Sequence, residues 1–131
     1  MNDVKEQKQK FQHFHEFFAD LRKKKRITLR DFCKTAKADP ANISRMERGA
    51  MPPPQDSDIL ERYAKALDLE KGSDHWYLFC DLAATDRGII PQDLMSDEEV
   101  VKILPSFFRT MRGQKPTEEE MRKIVEKIKH S

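Results

Sequence analysis

The chain is poor in glycine and cysteine and has no long apolar run. Four glycines among 131 residues, with 37% charged and 37% apolar residues, are typical of a solvated helical protein rather than of a sheet protein or a disordered chain. No apolar stretch approaches the ~20 residues of a membrane span, and the first ten residues lack the apolar core of a secretory signal. We therefore expect an all-α, cytoplasmic protein with no membrane partner.

Cysteine and histidine are too few and too scattered to indicate a metal centre. Cys33 and Cys80 form no CxxC pair and lie near no histidine at ligand spacing, so small buried side chains are expected. His13 and His15 are two residues apart on a predicted helix and should point to different faces, which argues against a shared metal. No metal and no cofactor are expected.

The sequence also lacks the residue groups that an enzyme of this size would need. Asp86-Arg87-Gly88 and the acidic run at 97 to 99 supply neither a nucleophile with a positioned base nor a metal cluster. The acidic run instead favours a helix N-terminus, where negative charge is stabilised. We therefore expect no enzymatic activity.

Charge is distributed unevenly along the chain. Residues 1 to 50 hold 13 basic and 7 acidic residues, residues 51 to 100 hold 4 and 12, and residues 101 to 131 hold 8 and 4. A basic first third beside an acidic middle favours one surface for a polyanion, although such blocks also serve solubility alone.

Apolar spacing predicts helices throughout. The first, roughly 8 to 25, places Phe11, Phe14, Phe18 and Leu21 on one face and ends in the cationic run RKKKR at 22 to 26. Further helices are predicted for TLRDFCKTAK, for ILERYAKAL capped by Ser57 or Asp58, for HWYLFCDLAA begun by Ser73 or Asp74, for SDEEVVKILPSFFRTMRG and for TEEEMRKIVEKIKH. The pattern predicts a five-helix domain at 8 to 84 and a helical extension at 85 to 131.

The stretch DPANISRMERG, 39 to 49, is expected to be one short helix with two different sides. Asp39 suits the N-cap, Pro40 the first helical position and Gly49 the left-handed residue past the end. At about 100° per residue, the apolar Ile43 and Met46 share one side. The polar and small side chains fall on the other side or its flank, namely Ala41, Asn42, Ser44, Arg45 and Arg48.

The segment from 18 to 67 resembles the helix-turn-helix unit of the XRE or Cro/CI family, the lambda-repressor-like DNA-binding domains. The resemblance is carried by an LR pair, a Thr-led helix containing Phe32-Cys33, the ISRMERG core, a proline-bearing loop and a LxxxAxxL-like helix, in that order. It implies an all-α, five-helix lambda-repressor-like fold and double-stranded DNA as a partner. It also implies an ion pair between Arg22 and Glu47 that holds the recognition helix to the first helix.

The residues of the 39 to 49 helix suit base reading on chemical grounds as well. Short side chains allow close approach to the major groove, and donors and acceptors reach base edges, so Ala41, Asn42, Ser44 and Arg45 are the predicted base readers. Predicted phosphate contacts, besides the RKKKR run, come from Thr28, Lys37, Arg48 and Gln55. For Arg48 and the lysines, plain solvated charge is the alternative interpretation.

Three positions depart from the family pattern. Lys37 stands where the turn usually has glycine, so it must adopt a left-handed conformation or the turn must differ. Leu29 replaces a frequent glutamine that helps to hold phosphate, and the AMPPPQD loop has no basic residue. Binding should therefore depend more on Arg45, the lysines and dimerisation.

The C-terminal third has more large apolar side chains than three short helices need. We expect a homodimer built from residues 73 to 131, with contacts chosen from Trp76, Tyr77, Phe107, Phe108, Ile124 and Ile128. A single monomeric core is the alternative for these residues. The predicted function is an autoregulatory repressor on a palindromic operator; the alternative is an antitoxin or mobile-element repressor whose extension binds a partner protein.

Overall fold

The structure is a computed structural model that describes residues 13 to 130, and over these residues it is all-helical. The chain divides into two compact units, the first ending at Ile89 and the second beginning at Ile90. None of the helices between 13 and 130 is long and apolar enough to cross a membrane.

The first unit contains five helices in its described part. They are α1 (Phe14–Lys24), α2 (Leu29–Ala36), α3 (Pro40–Glu47), α4 (Ser57–Ala66) and α5 (Asp74–Arg87). The predicted first helix, 8 to 25, begins instead at Phe14, because His13 is an extended N-cap. Phe11 and the rest of the predicted start lie outside the described residues.

Aromatic packing forms the core of the first unit. Phe14, Phe17, Phe18, Phe32 and Phe79 are all fully buried. Ring centroids lie 4.9 Å apart for Phe14 and Phe79 and 5.0 Å apart for Phe18 and Phe32, within the range of favourable aromatic pairs. The core therefore joins α1, α2 and α5, the helices that carry these rings.

The second unit contains the one-turn helix α6 (Gln92–Met95) and the longer helices α7 (Glu98–Met111) and α8 (Glu118–Lys129). Helix α7 continues through Pro105, as predicted. Helix α8 begins with the predicted capping box, in which Thr117 accepts from the Glu120 N–H and Glu120 accepts from the Thr117 N–H. The two long helices form an antiparallel hairpin, since Asp97 meets Lys127 and Ser106 meets Glu120.

Three predicted boundaries are corrected by the structure. Asp56, not Ser57 or Asp58, caps α4, accepting from the Asp58 and Ile59 N–H groups. Helix α5 starts at the predicted Ser73 cap but continues to Arg87, so the predicted domain boundary at 84/85 falls inside it. The left-handed Gly88 ends that helix, and the division between units follows at 89/90.

Candidate functional site

A three-residue turn and the cap residues of α3 determine where this helix begins in the first unit. The Asp39 carboxylate accepts from the Ala41 N–H at 3.3 Å, and Pro40 occupies the first helical position, as predicted. Lys37, which ends α2, has φ 55° and ψ 49°, so of the two alternatives expected for this turn the left-handed residue is the one observed. This turn leaves too little chain for a gentle reversal, and α2 and α3 pack against each other.

One side of α3 is buried in the core. Ile43 is 1% exposed and Met46 is 3% exposed, as the sequence pattern predicts. Gly49 follows the helix with φ +76°, and a side chain there would meet the His15 ring at 3.0 Å. Both the backbone conformation and the space at this position therefore favour glycine.

The predicted ion pair between Arg22 and Glu47 is present. Arg22 Nε donates to Glu47 Oε2 at 2.5 Å and Nη2 donates to Oε1 at 3.0 Å, a bidentate arrangement. A third donor, Nη1, bonds the Ile27 carbonyl at 2.8 Å. The Glu47 hydrogen bond raises the pKa of Arg22 above its usual range, so the guanidinium stays charged.

The other side of α3 is open to solvent and polar. Ala41 and Arg45 are exposed, and Asn42 and Ser44 are half-buried. Arg45 donates to the Asn42 side-chain oxygen, and Arg48 Nη1 donates to Ser44 Oγ at 2.7 Å. The structure thus brings the four predicted base readers together on one helix side, with the two arginines extended along it.

The predicted phosphate contacts are all exposed, and they lie on several elements of the first unit. Thr28 Oγ1 accepts from the Asp31 N–H at 3.0 Å, which leaves its hydroxyl proton available to a further acceptor. Lys37 lies in the turn before α3, Arg48 at its C-cap and Gln55 in the proline loop.

Much of the RKKKR run has structural contacts instead of a free charge. Arg22 belongs to the ion pair described above, Lys24 pairs with Asp20 at 3.1 Å, and Lys25 Nζ donates to the Asp68 carbonyl at 2.8 Å. Lys24 remains 58% exposed beside Asp20, and contact of the run with the DNA backbone stays a prediction.

The two N-terminal histidines differ from their prediction. Because His13 is an extended N-cap and not a helical residue, its ring stacks on His15 with centroids 5.9 Å apart. His13 Nδ1 lies 3.1 Å from Asp86 Oδ1, and His15 Nδ1 lies 3.2 Å from the Glu47 carbonyl oxygen. Within residues 13 to 130, no group of three or more potential ligands could hold a metal ion.

The residues that were considered for catalysis have contacts or positions that support the fold. Asp86 accepts from the Phe14 N–H at 2.9 Å, Arg87 Nε donates to the Pro53 carbonyl at 2.7 Å, and Gly88 ends α5. The acidic run at 97 to 99 lies at the N-terminus of α7 as predicted, and Asp97 is its cap, accepting from the Glu99 and Val100 N–H groups. Burial raises the pKa of the Cys33 thiol, which suits a packing role and not a nucleophile.

The residues predicted for a dimer or partner fall into two groups. Tyr77, Phe107, Phe108 and Ile128 are exposed, by 46%, 42%, 38% and 69% respectively. Trp76 is half-buried against the core of the first unit, and Ile124 is 7% exposed. Ile124 is therefore corrected from an interface residue to a packing residue of its own unit.

Sequence reasoning missed several contacts that support the site. Arg62 Nε, from α4, donates to the Ala36 carbonyl at 3.1 Å and satisfies the end of α2 next to the turn. Phe17, also missed, is fully buried beside Phe18 in α1. The long side chain of Arg62 gave no sequence signal, because its partner is a backbone atom 26 residues away.

Comparisons with protein-family models, with curated proteins and with solved structures find no match to this chain.

Proposed function

We propose that the protein is a helix-turn-helix DNA-binding regulator, with α3 as its recognition helix in a five-helix, lambda-repressor-like first unit. The main support for the proposal is that α3 has one side buried in the core and one side that is exposed and polar. Ile43, Met46 and Glu47 attach it to the rest of the unit, and the opposite side presents Arg45 with small and polar neighbours. A helix that enters the major groove needs this combination of firm support and short, hydrogen-bonding side chains.

More particularly, the protein is proposed to be an autoregulatory repressor that binds a palindromic operator as a homodimer in the cytoplasm. Repression is the commoner outcome in the family that the sequence resembles. Enzymatic activity is not part of the proposal, because Asp86, Arg87 and Cys33 all have structural roles.

Arg45 is the residue on which base recognition should depend most. A guanidinium bonded to guanine O6 and N7 contributes ~1–3 kcal/mol of discrimination. To make that contact, Arg45 must exchange its present hydrogen bond to Asn42 for the base edge.

The test is a gel-shift titration against the DNA upstream of the protein's own gene, with random DNA as competitor. We expect specific retardation by wild type, loss of specificity in Arg45→Ala, and wild-type behaviour in the control Arg112→Ala, an exposed arginine of the second unit. Equal retardation of specific and random DNA by wild type, or no effect of Arg45→Ala, would contradict the proposal.

A partner-binding repressor or antitoxin is the second candidate, favoured by the exposed aromatic side chains of the second unit. Phe107 and Phe108 are 42% and 38% exposed, and exposed aromatic residues are enriched in protein interfaces. A toxin-like or metallopeptidase-like neighbouring gene would favour this candidate.

A further inference from the structure

One side of α8 carries an apolar stripe that its own unit leaves exposed. Helix α8 faces α7 with Ile124, which is 7% exposed, while Met121 and Val125 are each 41% exposed and Ile128 is 69% exposed. These three residues repeat at i, i+4 and i+7, the spacing of the apolar seam between two packed helices. At about 100° per residue they all lie to the same side of Ile124.

Helix α7 extends this surface. Phe107 is 42% exposed and Met111 is 71% exposed. Helical spacing places both away from Glu99 and Lys102, which line a groove with Lys123 and Glu126 on the other side of the hairpin. On this spacing, the apolar residues of both helices are expected on the side of the hairpin opposite that groove. We call this surface the apolar face, and it consists of Phe107, Met111, Met121, Val125 and Ile128.

The charges around the apolar face match a second copy of the same chain. Residues 90 to 131 contain eight basic and eight acidic side chains, so two copies carry no net repulsion. Met121 and Val125 line one groove of about 680 Å³, whose charged edge consists of Lys115 and Glu118 near the start of α8, Arg122 and Glu126 along it, and Lys129 near its end. An antiparallel second α8 would place Lys129 beside Glu118 of its partner, whereas a parallel one would oppose like charges.

The small size of the second unit also favours the association of two copies. Residues 90 to 131 include no cysteine, and among those that the structure describes only Ile124 is a buried apolar side chain. Units this small generally need disulfides, metals or oligomerisation to complete a core.

We propose that the apolar face is a self-association surface on which two copies of the chain pack, with their α8 helices antiparallel. In this arrangement Val125 lies next to its own counterpart at the two-fold axis, and Met121 lies opposite Ile128. The inference supplies an interface for the homodimer and in that sense rests on the proposed function. The experiments below contain no DNA, so a failure of self-association is distinguishable from a failure of DNA binding.

The first experiment measures the mass of the full chain by light scattering after size-exclusion chromatography. We expect twice the 15.4 kDa of one chain for wild type and a single-chain mass for Val125→Glu. The matched control Lys123→Glu, which adds the same carboxylate on the other side of the helix, should keep the double mass. A wild-type chain at single mass, or a Val125→Glu variant at double mass, overturns the proposal.

The second experiment tests orientation by cysteine cross-linking under mild oxidation, with wild type controlling for Cys33 and Cys80. We expect Val125→Cys to form a covalent dimer and Lys123→Cys to form none. Met121→Cys and Ile128→Cys should cross-link to each other when mixed but not each to itself. Self-linking of both, as a parallel pair would give, overturns the antiparallel arrangement, as does absence of any Val125→Cys dimer.

Discussion

At the scale of single residues, Arg22 joins three parts of the first unit. Its guanidinium bonds both carboxylate oxygens of Glu47 in α3 and the Ile27 carbonyl ahead of α2, while its backbone belongs to α1. The side chains of Arg22 and Glu47 are only 13% and 12% exposed, so neither charge is well solvated without the other. The pair therefore fixes the position of α3 as well as satisfying two charges.

Glu47→Gln should destabilise the protein substantially. The amide keeps the shape of the carboxylate but removes the charge, and we expect a loss of about 1.5–3 kcal/mol in the free energy of unfolding by urea, the range for hydrogen bonds to charged groups. Because α3 also loses an anchor, DNA affinity should fall with stability.

The control for this prediction is Glu61→Gln. The pair of Glu61 and Lys71 is exposed, at 47% and 74%, and such solvent-exposed pairs contribute little to stability. Equal melting of Glu47→Gln and wild type, with unchanged DNA binding, would show that the buried pair does not hold the helix.

Residues that obey a local rule were predictable, and residues that depend on distant partners were not. The family pattern left two alternatives for Lys37, a left-handed residue or a different turn, and the residue is left-handed; Glu47 was paired correctly through the resemblance. His13 and His15 were predicted to share one helix and point to different faces, but His13 is the extended N-cap of α1, and the Phe14 N–H that follows it bonds the Asp86 carboxylate. That partner lies 72 residues along the chain from Phe14, beyond any periodicity.

At the scale of elements, the α7 and α8 hairpin is joined at both ends by charged groups. Glu120 accepts from the Thr117 N–H at 2.9 Å and from Ser106 Oγ at 2.8 Å, and it pairs with Arg109. These hydrogen bonds lower the pKa of Glu120 to about 2. The bond from the Thr117 N–H has the largest effect, followed by those from Ser106 and Arg109. At the other end, Lys127 Nζ lies 2.8 Å from Asp97 Oδ2 and lowers the pKa of that carboxyl.

Glu120 should make the stability of the hairpin depend on pH in the acid range. A carboxylate whose pKa is lower in the folded state stabilises that state fully above its ordinary pKa, and the contribution is lost as pH falls toward the folded value. We therefore expect wild type to melt at higher temperature than Glu120→Gln at pH 6, with the difference shrinking from about pH 5 toward pH 2. Circular dichroism at 222 nm measures both midpoints.

Glu98→Gln serves as the control for this measurement, because Glu98 is exposed in the first turn of α7. The melting temperatures of Glu98→Gln and wild type should not approach each other in this way between about pH 5 and pH 2. A Glu120→Gln difference that stays constant from pH 6 to pH 2 would contradict the assigned role of Glu120.

The existence of the helices was predictable, whereas their ends depended on which of several polar residues acts as the cap. Thr117 was predicted as a cap and Ser73 was one of two candidates for the cap of α5, and both are caps. Asp56, Ser57 and Asp58 are all good N-cap residues, and the prediction named Ser57 or Asp58 although the cap is Asp56. Arg87 lies in the last turn of α5 and donates to the Pro53 carbonyl. This contact was not predictable from the sequence around Arg87, because its partner is 34 residues away.

At the scale of the whole chain, a count of large apolar residues did not separate packing from interface. Ile124 and Ile128 have the same residue type and lie one helical turn apart, yet one is 7% exposed and the other 69%. The difference depends on the direction in which α7 meets α8, which the sequence pattern of either helix alone does not contain. Similarly, Trp76 packs partly against its own core, while its neighbour Tyr77 is 46% exposed.

The basic first third of the chain gives the proposed DNA binding a measurable salt dependence. Each phosphate neutralised on duplex DNA releases counterions, so log K should fall linearly with log salt, with a slope of about −0.9 per contact. The predicted phosphate contacts include two exposed cations beside α3, Lys37 in the turn and Arg48 at the C-cap. We expect Lys37→Ala and Arg48→Ala each to make the slope shallower by about 1 and to weaken specific and random DNA alike.

Lys71→Ala is the matched control, because Lys71 is an exposed cation that is paired with Glu61 and is not among the predicted phosphate contacts, so it should leave the slope unchanged. Fluorescence anisotropy of labelled operator between about 50 and 200 mM salt covers the range in which such contacts change affinity most clearly. If Lys37→Ala and Arg48→Ala keep the wild-type slope while DNA still binds, the cations beside α3 do not face the phosphates. The orientation proposed for the recognition helix would then be wrong, even with DNA binding intact.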